Sequence, residues 1–299
     1  MPSNEKLDQV NPDHVIGQKA IAHHEKVKAK HFFSFKRKYL AFPYALFLLL
    51  FVIIPIFIII VYAFTSTTDE GALVFSWSAL VSFFTSTDKI NVLVVSLFIG
   101  VLNTIICLLI GYPVAYLLAN KKYNTNTVLV MLFVMPMWIN FVLRTGATRD
   151  VLTWMGINGG NYPYLATMIG LVYNYLPFTI LPLYTTMLKL DKSQLEAAAD
   201  LGANPFHVFI DSVLPQSVPG IVSAAEMVFM PTMSTYVISD TLSEGKITLF
   251  GNIIYLNFSQ SQWNEGSFMA LIMLILVGIS MFLTRNIDKD NTRRGGALW

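Results

Sequence analysis

The chain has 299 residues, of which 55% are hydrophobic, 13% are aromatic and only 13% are charged, and its formal net charge is +2. A soluble domain carries about 25% charged residues, so this chain has too few polar side chains to cover a water-facing surface. The composition therefore excludes an ordinary soluble enzyme and a mostly disordered chain, and it indicates a polytopic membrane protein.

Residues 1–39 are polar and basic, and they are predicted to form a cytoplasmic tail. They hold eight of the 20 Lys and Arg residues, a composition typical of a disordered arm close to anionic lipid. The histidines of this tail do not have the spacing of a metal-ligand set, so no metal site is predicted there. They are His14, His23, His24 and His31. The single cysteine, Cys107, excludes a disulfide framework within one chain.

Six apolar segments are long enough to cross a bilayer as helices, which takes roughly 20 residues. Their predicted bounds are 40–64, 92–119, 128–143, 165–188, 218–239 and 268–284, and the third segment is the shortest. The predicted fold class is therefore an all-α, polytopic membrane protein with six transmembrane helices. Residues 40–285 form its membrane domain, and residues 286–299 form a cytoplasmic C-terminal tail.

Lys and Arg residues are distributed unequally between the two sides of the predicted membrane domain. Sixteen of the 20 lie in the two tails and in the loops after the second and fourth spans. The opposite side holds only Lys89, Arg144, Arg149 and Lys246. Because positively charged residues concentrate in cytoplasmic loops, both termini are predicted to lie in the cytoplasm.

The long cytoplasmic loop between spans four and five, residues 189–217, has signals for a first short helix. Ser193 and Glu196 have the spacing of a capping box, which predicts that the helix begins at Gln194. Gly202 suits the left-handed position that ends such a helix. Small alanines on this helix would let another surface approach closely.

The same loop has signals for a second short helix. Asn204 is the predicted N-cap, Pro205 lies in the first turn, and Pro215 is predicted to end the helix. Two amphipathic helices joined at a glycine would form a compact knob on the cytoplasmic face. Such a knob suits docking into a cleft of a partner protein, and the alternative is a helical hairpin lying on the lipid headgroups.

This loop resembles the EAA loop of bacterial ABC-importer permeases. The family pattern is E-A-A, three residues, G, nine residues and I-x-L-P. The matching residues are Glu196, Ala197, Ala198, Gly202, Leu214 and Pro215, and Ser212 stands at the isoleucine position. The resemblance implies a type I ABC-importer permease-like fold with its EAA coupling loop at about residues 189–217.

The resemblance extends over roughly residues 40–285 and is closest to spermidine/putrescine permeases, specifically the first of the two membrane subunits of that system. The matching stretches are Gly111-Tyr112-Pro113, Trp138 with Asn140, residues 170–178 and 182–192, Ser239-Asp240 and Gly251-Asn252. It implies a permease subunit of an ATP-driven polyamine importer in the bacterial plasma (inner) membrane, which is not itself an enzyme.

The implied partners are a second permease that completes a heterodimer, two ATPase subunits, an extracytoplasmic solute-binding protein, the lipid bilayer and the polyamine, with no nucleic acid. The chain has no G-x-x-x-x-G-K-[ST] loop, so ATP and Mg are expected in the partner ATPase and no cofactor in this chain. The six matched EAA residues would couple the ATPase to the spans. Glu196 is expected to make a charge-assisted contact with an ATPase arginine, and the alternative is a capping role alone.

Acidic residues inside a membrane are costly, and this makes them candidates for the solute path. Glu226 lies well inside span five and Asp240 at its predicted outer end, 14 residues later, so one helix would place both on one face. Aromatic rings suit the charges of a polyamine through cation–π contacts. The candidates are Trp138, Tyr173, Tyr175 and Tyr236. The alternatives are that Glu226 pairs with the second permease or is protonated, that Asp240 is an interfacial acid, and that the rings only pack or form an interfacial belt.

Other interpretations of the chain stay open at this level. The solute of the importer could be a thiamine-like cation, a phosphonate or ferric ion instead of a polyamine. A self-contained secondary transporter or channel would show inverted repeats, which the sequence does not display, and a passive membrane scaffold would not depend on Glu196. Arg144 and Arg149 are interpreted either as part of the docking surface for the binding protein or as anchors of a helix end.

Overall fold

The computed structural model describes residues 37–68, 72–120 and 128–295, with side chains for those between 42 and 284. The histidines of the predicted N-terminal tail lie outside the described residues. The predicted C-terminal tail is described only as backbone to residue 295. The chain divides into two compact units, Met1–Phe57 and Ile58–Trp299.

The first apolar segment is helical, as predicted. Helix α1 covers Arg37–Leu48, a π-helical turn covers Leu49–Ile53, and helix α2 covers Ile54–Ala63. The π turn ends two residues before Pro55, whose ring does not fit under a regular α-turn. Residues Phe42–Ala63 are long and apolar enough to cross a membrane.

A short extracytoplasmic region that the sequence analysis does not predict follows the first span. Strands β1 (Thr65–Thr67) and β2 (Leu73–Phe75) pair antiparallel, with Thr65 opposite Phe75. Helix α3 (Ser78–Thr85) comes next. Its Phe83 packs in a small apolar cluster with Phe250 and Phe268, which lie far along the chain.

The second, fourth and sixth predicted spans are confirmed as long helices. They are α4 (Thr87–Ala119), α7 (Pro163–Met187) and α13 (Trp263–Gly295). Helix α13 does not end at residue 284, because its backbone stays helical to Gly295, and its apolar membrane-crossing part is Trp263–Thr284.

The third predicted span, 128–143, is not a straight helix. Helix α5 (Val128–Val134) and a 3₁₀ turn (Met135–Trp138) are followed by helix α6 (Phe141–Trp154), and the two halves meet at an angle of 99°. The break lies at Ile139, which is extended, and at Asn140, whose side chain caps α6. Counted as one bent span, this pair raises the number of candidate spans in the described residues from five to six, and we call it the broken third crossing.

The cytoplasmic loop forms helix α8 (Lys192–Asp200) and helix α9 (Pro205–Val208). The prediction that Pro215 ends the second helix is wrong. A π turn at Phe209–Val213 connects α9 to α10 (Leu214–Ser234), so one continuous helix extends from Pro205 to Ser234. In the wider turn the Leu214 amide donates to the Phe209 carbonyl, which accommodates the proline ring without a break.

The fifth predicted span, 218–239, therefore begins earlier and ends earlier than the hydropathy indicates. Helix α10 ends at Ser234 because Thr235 is extended, and a separate helix α11 (Val237–Ser243) follows. Asp240 lies in α11, so the prediction that it shares one helix face with Glu226 is wrong. Helix α12 (Phe250–Ser259) then leads to α13.

Helices α4, α7 and α10 pack against one another and form the centre of the second unit. Their interface combines apolar side chains with buried polar bonds. The Asn103 side-chain amide on α4 donates to the Thr232 hydroxyl on α10 over 2.8 Å. The Tyr175 hydroxyl on α7 donates to the Pro231 carbonyl over 3.3 Å. These bonds fix α10 against two other spans near its outer end.

Close approach of α10 to α7 requires the glycine at position 220. A Cβ atom there would lie 2.7 Å from the Thr186 hydroxyl oxygen and 2.8 Å from its Cβ. We predict that Gly220→Ala lowers the unfolding free energy of the purified protein by about 1–3 kcal/mol through overpacking. The measurement is the thermal unfolding midpoint in detergent.

Gly146→Ala is the matched control for this variant. A Cβ atom at Gly146, in α6, would meet no atom within 4 Å. We expect it to leave the unfolding midpoint unchanged or to raise it slightly, because alanine favours the helix by about 0.5–1 kcal/mol. Equal midpoints for the two variants would contradict close packing at Gly220.

Candidate coupling surface and solute path

The first helix of the cytoplasmic knob, which we define as residues 191–213, begins earlier than predicted. Asp191 is its N-cap and accepts hydrogen bonds from the Ser193 amide, at 3.0 Å, and from the Ser193 hydroxyl. This hydroxyl bond lowers the pKa of Asp191. The predicted capping box of Ser193 and Glu196 is therefore wrong, because Asp191 is the N-cap and the Ser193 hydroxyl donates its hydrogen bond to Asp191. The Glu196 side chain is exposed and forms no hydrogen bond within the described part of the chain.

The turn that ends α8 is confirmed at Gly202, which has a φ of +85°. The Gly202 amide donates to the Ala199 carbonyl over 2.9 Å, and the Ala203 amide donates to the Ala198 carbonyl over 3.2 Å. This pair of bonds is a Schellman motif, which closes a helix around a left-handed residue. The chain then reverses into α9, where Asn204 accepts from the His207 amide over 2.9 Å, as the predicted cap requires.

Aromatic contacts join the knob to the inner end of α4. The Phe209 ring packs edge-on against the rings of Tyr112, at 5.7 Å, and Tyr116, at 6.0 Å. The hydroxyl groups of Tyr112 and Ser217 lie 2.8 Å apart in a hydrogen bond. Phe209 is part of the π turn, so α4 holds the knob at the point where it passes into the membrane helix.

A polar contact joins the first helix of the knob to α10. The Gln216 side chain accepts from the Asp191 amide over 2.9 Å and donates to the Gln194 side chain over 3.2 Å. The start of α8 is therefore tied to the first turn of α10. Together with the continuous helix, this contact makes the knob and α10 one body.

The surface of the knob that points away from the membrane helices is apolar in part and open. Leu201 is 89% exposed and Phe206 is 67% exposed. Of the six EAA positions, all but Ala198 are exposed. Exposed leucine and phenylalanine side chains beside small alanines are suited to burial against a second protein.

Glu226 lies on the side of α10 that faces away from the subunit core. The residues that α10 buries toward the core include Gly220, Ala224 and Val228. At about 100° per residue, Glu226 is on the opposite side of the helix. Its carboxylate accepts a hydrogen bond from the Thr284 hydroxyl of α13. It opens on a cavity of about 500 Å³ between α10 and α13.

Asp240 and Tyr236 are brought together at the outer side of the membrane. Tyr236 is the N-cap residue of α11, and its backbone carbonyl accepts a hydrogen bond from the Asp240 amide over 3.0 Å. The Tyr236 ring stacks on the Tyr255 ring of α12 at 4.3 Å between centroids. Asp240 is exposed beside this pair. Tyr255 was not predicted, because only the stacking of α12 on α11 places it there.

The other aromatic candidates differ in exposure. Trp138 is 87% exposed at the end of the 3₁₀ turn, and Tyr173 is 43% exposed. Tyr175 is buried, and its hydroxyl donates to the Pro231 carbonyl of α10. It therefore packs in the core and does not line an open surface. Trp138 and Tyr173 are therefore accessible to a solute, whereas Tyr175 is not.

The docking interpretation of Arg144 is wrong, because its side chain is only 6% exposed. Its guanidinium binds oxygens of Pro136 and Asn174 within the protein. Arg149 is exposed and pairs with Asp150 over 3.1 Å. The sequence alone does not distinguish a buried from an exposed arginine at a helix end, since its burial depends on residues distant in sequence.

Comparison with known sequences relates the chain to permease subunits along most of its length. It is 32% identical over 253 residues to the spermidine/putrescine transport system permease protein PotB of Escherichia coli strain K12, covering 79% of this chain and 92% of PotB. It is 34% identical over 265 residues to PotB of Haemophilus influenzae, covering 83% and 92%. A PotB homolog of Mycoplasma genitalium is 29% identical over 235 residues, covering 74% and 80%. No protein-family profile matches the chain.

Solved structures share the fold at low sequence identity. A chain of a bacterial alginate ABC transporter, in complex with its alginate-bound periplasmic protein, matches with a TM-score of 0.59 at 15% identity, over 85% of this chain and 96% of that one. A chain of the MetNI methionine ABC transporter in an inward-facing conformation matches with a TM-score of 0.53 at 19% identity, over 69% and 99%. These matches confirm the predicted fold class.

The N-cap of α8 gives a direct test of the knob. We predict that Asp191→Ala costs about 1 kcal/mol of local stability, so that backbone amides of residues 192–200 exchange about fivefold faster. The measurement is hydrogen exchange followed by mass spectrometry. Asp191→Asn is the control, because asparagine caps helices about as well as aspartate. Equal exchange in both variants would contradict the cap assignment.

Proposed function

Because this chain belongs to the PotB-like permease subunits of ATP-binding-cassette importers, we propose that it forms part of the solute path of a polyamine importer. The chain is a multi-pass protein of the bacterial inner membrane, and it is not an enzyme, since the ATPase is a separate chain. The proposed solutes are spermidine and putrescine, which the names of its relatives specify.

The observation that carries the proposal is the position of Glu226. Its carboxylate is half-buried in the cavity between α10 and α13, on the side of α10 opposite to the residues that this helix buries. A carboxylate is costly in lipid and favourable beside a cation in a wet cavity. A protonated polyamine offers such cations at both ends. The proposed solute path therefore passes this cavity between α10 and α13.

Asp240 extends the same proposal to the outer end of the path. It is exposed next to the stacked rings of Tyr236 and Tyr255, a combination of charge and π faces that suits an ammonium group. Trp138 and Tyr173 offer further exposed rings. The proposed substrate contacts are Glu226, Asp240, Tyr236, Tyr255, Trp138 and Tyr173.

The proposed coupling surface consists of the EAA positions on the knob. Glu196 would bind an arginine of the ATPase, Ala197 and Ala198 would allow close approach, and Gly202 would set the turn. Leu214 and Pro215 then carry the motion into the membrane, because they lie at the junction of the π turn and α10.

The proposed assembly contains this chain, a second permease, two ATPase subunits and an extracytoplasmic binding protein. Residues 40–285 would form the permease domain, residues 189–217 the coupling loop, and residues 1–39 and 286–299 the cytoplasmic tails. The exposed apolar side chains of the knob support a protein partner on its surface.

Solute specificity is tested by uptake of radiolabelled spermidine in cells that lack this chain. We predict that uptake is lost, that the wild-type gene restores it, and that putrescine competes with spermidine. Thiamine, a phosphonate and ferric ion serve as alternative competitors. Unchanged spermidine uptake in the deletion strain, or competition only by one of these three, would contradict the polyamine proposal.

Coupling is tested with Glu196→Lys, which reverses the charge at an exposed position without disturbing any described bond. We predict loss of most uptake, with normal amounts of the chain in the membrane and a weakened association with the ATPase in pull-down. Asp211→Lys is the matched control, because Asp211 is also exposed on the knob but lies outside the EAA positions. Full uptake with Glu196→Lys would contradict the coupling role.

The path is tested with Glu226→Gln, which removes the charge and keeps an oxygen that accepts the Thr284 hydroxyl. We predict that KM for spermidine rises about tenfold, equivalent to about 1.4 kcal/mol of lost ion pairing. Thr284→Val separates the charge from the hydrogen bond and should change KM less. An unchanged KM in Glu226→Gln would remove this carboxylate from the path.

A further inference from the structure

A buried arginine lies where the third crossing is broken. The Arg144 side chain, on α6, is 6% exposed. Its Nε donates to the Asn174 side-chain oxygen over 2.8 Å, one terminal nitrogen donates to the Pro136 carbonyl over 2.5 Å, and the other donates to the Asn174 carbonyl over 3.4 Å. None of the carboxylates in the described ranges forms an ion pair with it.

Burying a charge without a counter-ion is costly, so a buried arginine is expected to have a specific structural or functional role. The three acceptors of Arg144 lie on two separate segments. Pro136 belongs to the 3₁₀ turn before the break, and Asn174 belongs to α7. Arg144 itself follows the break, one turn into α6. One guanidinium therefore joins both halves of the broken crossing to the neighbouring span.

The geometry of the break explains why an arginine is suited to this position. The 3₁₀ turn ends at Trp138, so its last carbonyls lack helical partners. The Pro136 carbonyl receives the Ile139 amide, at 3.2 Å, and the Arg144 guanidinium. A cation at the carboxyl end of a helical turn is also favoured by the helix dipole. Lysine could not reach all three oxygens, because it lacks the planar fork of guanidinium.

Two of the proposed path residues are adjacent to these bonds. Trp138 lies two residues after Pro136 in the same turn and is 87% exposed. Tyr173 precedes Asn174, and the Arg144 guanidinium carbon lies 5.8 Å from the centre of its ring. One face of the Tyr173 ring is thus directed at Arg144, and the side chain remains 43% exposed.

We infer that Arg144 is a positioning residue that locks the broken third crossing against α7 and thereby places the rings of Trp138 and Tyr173. It is not among the proposed solute contacts, because it is 6% exposed and each of its three nitrogens donates to an oxygen within the protein. The effect on solute binding rests on the proposed function, whereas the lock itself does not. The two parts are therefore tested by separate measurements.

The lock is tested by electron paramagnetic resonance in the complete transporter purified with this chain. Spin labels replace Trp138 and the exposed Tyr164 of α7, as Trp138→Cys and Tyr164→Cys in a Cys107→Ala background, and their distance distribution is recorded. We expect Arg144→Met to widen or shift this distribution and Arg144→Lys to do so less. Arg149→Met, on the exposed side of the same helix, is the matched control and should have no effect. An unchanged distribution in Arg144→Met overturns the inference.

The consequence for the path is tested by uptake kinetics with both rings intact. We expect Arg144→Met to raise KM for spermidine about tenfold with a smaller change in maximal rate per transporter, and Arg144→Lys to recover part of the loss. A changed distance distribution with an unchanged KM overturns the positioning role. If the parent chain does not transport spermidine, the proposed solute fails, and the distance measurement still decides the lock.

A second variant keeps the inference testable if Arg144→Met does not accumulate in the membrane. Asn174→Ala retains the arginine and removes its shorter bond to α7. We expect the same change in the distance distribution, smaller in size, because the bond to Pro136 remains. A distribution identical to that of the parent would overturn the role of Asn174 as the anchor of the lock.

Discussion

The continuous helix from Pro205 to Ser234 is the constraint on which the rest of the structure depends. Pro215 lies within it, lacks an amide hydrogen and would clash with the carbonyl of a regular turn. The π turn at Phe209–Val213 removes this conflict, because it directs the Leu214 amide to the Phe209 carbonyl. The second helix of the knob is consequently the first part of a membrane helix, and only α8 is a separate helix before it.

Because the helix from Pro205 to Ser234 is continuous, a movement of the knob is transmitted to the membrane-spanning part of α10. Gln216 ties α8 to the first turn of α10, and Phe209 packs between two tyrosines of α4. A displacement of the knob must therefore move α10 and the carboxylate of Glu226 with it, unless the π turn bends. The broken third crossing is held in a different way, by the buried guanidinium of Arg144. One moving helix beside a locked crossing is an arrangement suited to opening and closing a path.

Local signals in the sequence predict much of this structure. Gly202 and Asn204 act where turn and cap preferences place them, and the apolar runs locate the long helices. Other features depend on tertiary structure. The passage through Pro215 requires a π turn that no residue pattern specifies, and the burial of Arg144 depends on an asparagine 30 residues later.

Two of the features that differ from the sequence prediction nevertheless have signals in the sequence. Asn140 is a strong N-cap residue and follows Pro136 closely, which together favour a break inside the third apolar segment. Asp191 and Ser193 are both capping residue types near the start of α8, and Asp191 is the cap because its carboxylate accepts from the amide and the hydroxyl of Ser193. Which of two nearby capping residues is used depends on where the helix begins and not on residue preference alone.

The most direct measurement is a pair of structures of the assembled transporter, one with ATP and one without nucleotide. The account predicts that Ala197–Gly202 contact the ATPase in both, and that residues 205–234 superimpose as one rigid helix while they shift against α4. A helix that bends at residues 209–213, or a knob that contacts only lipid or water, would contradict it.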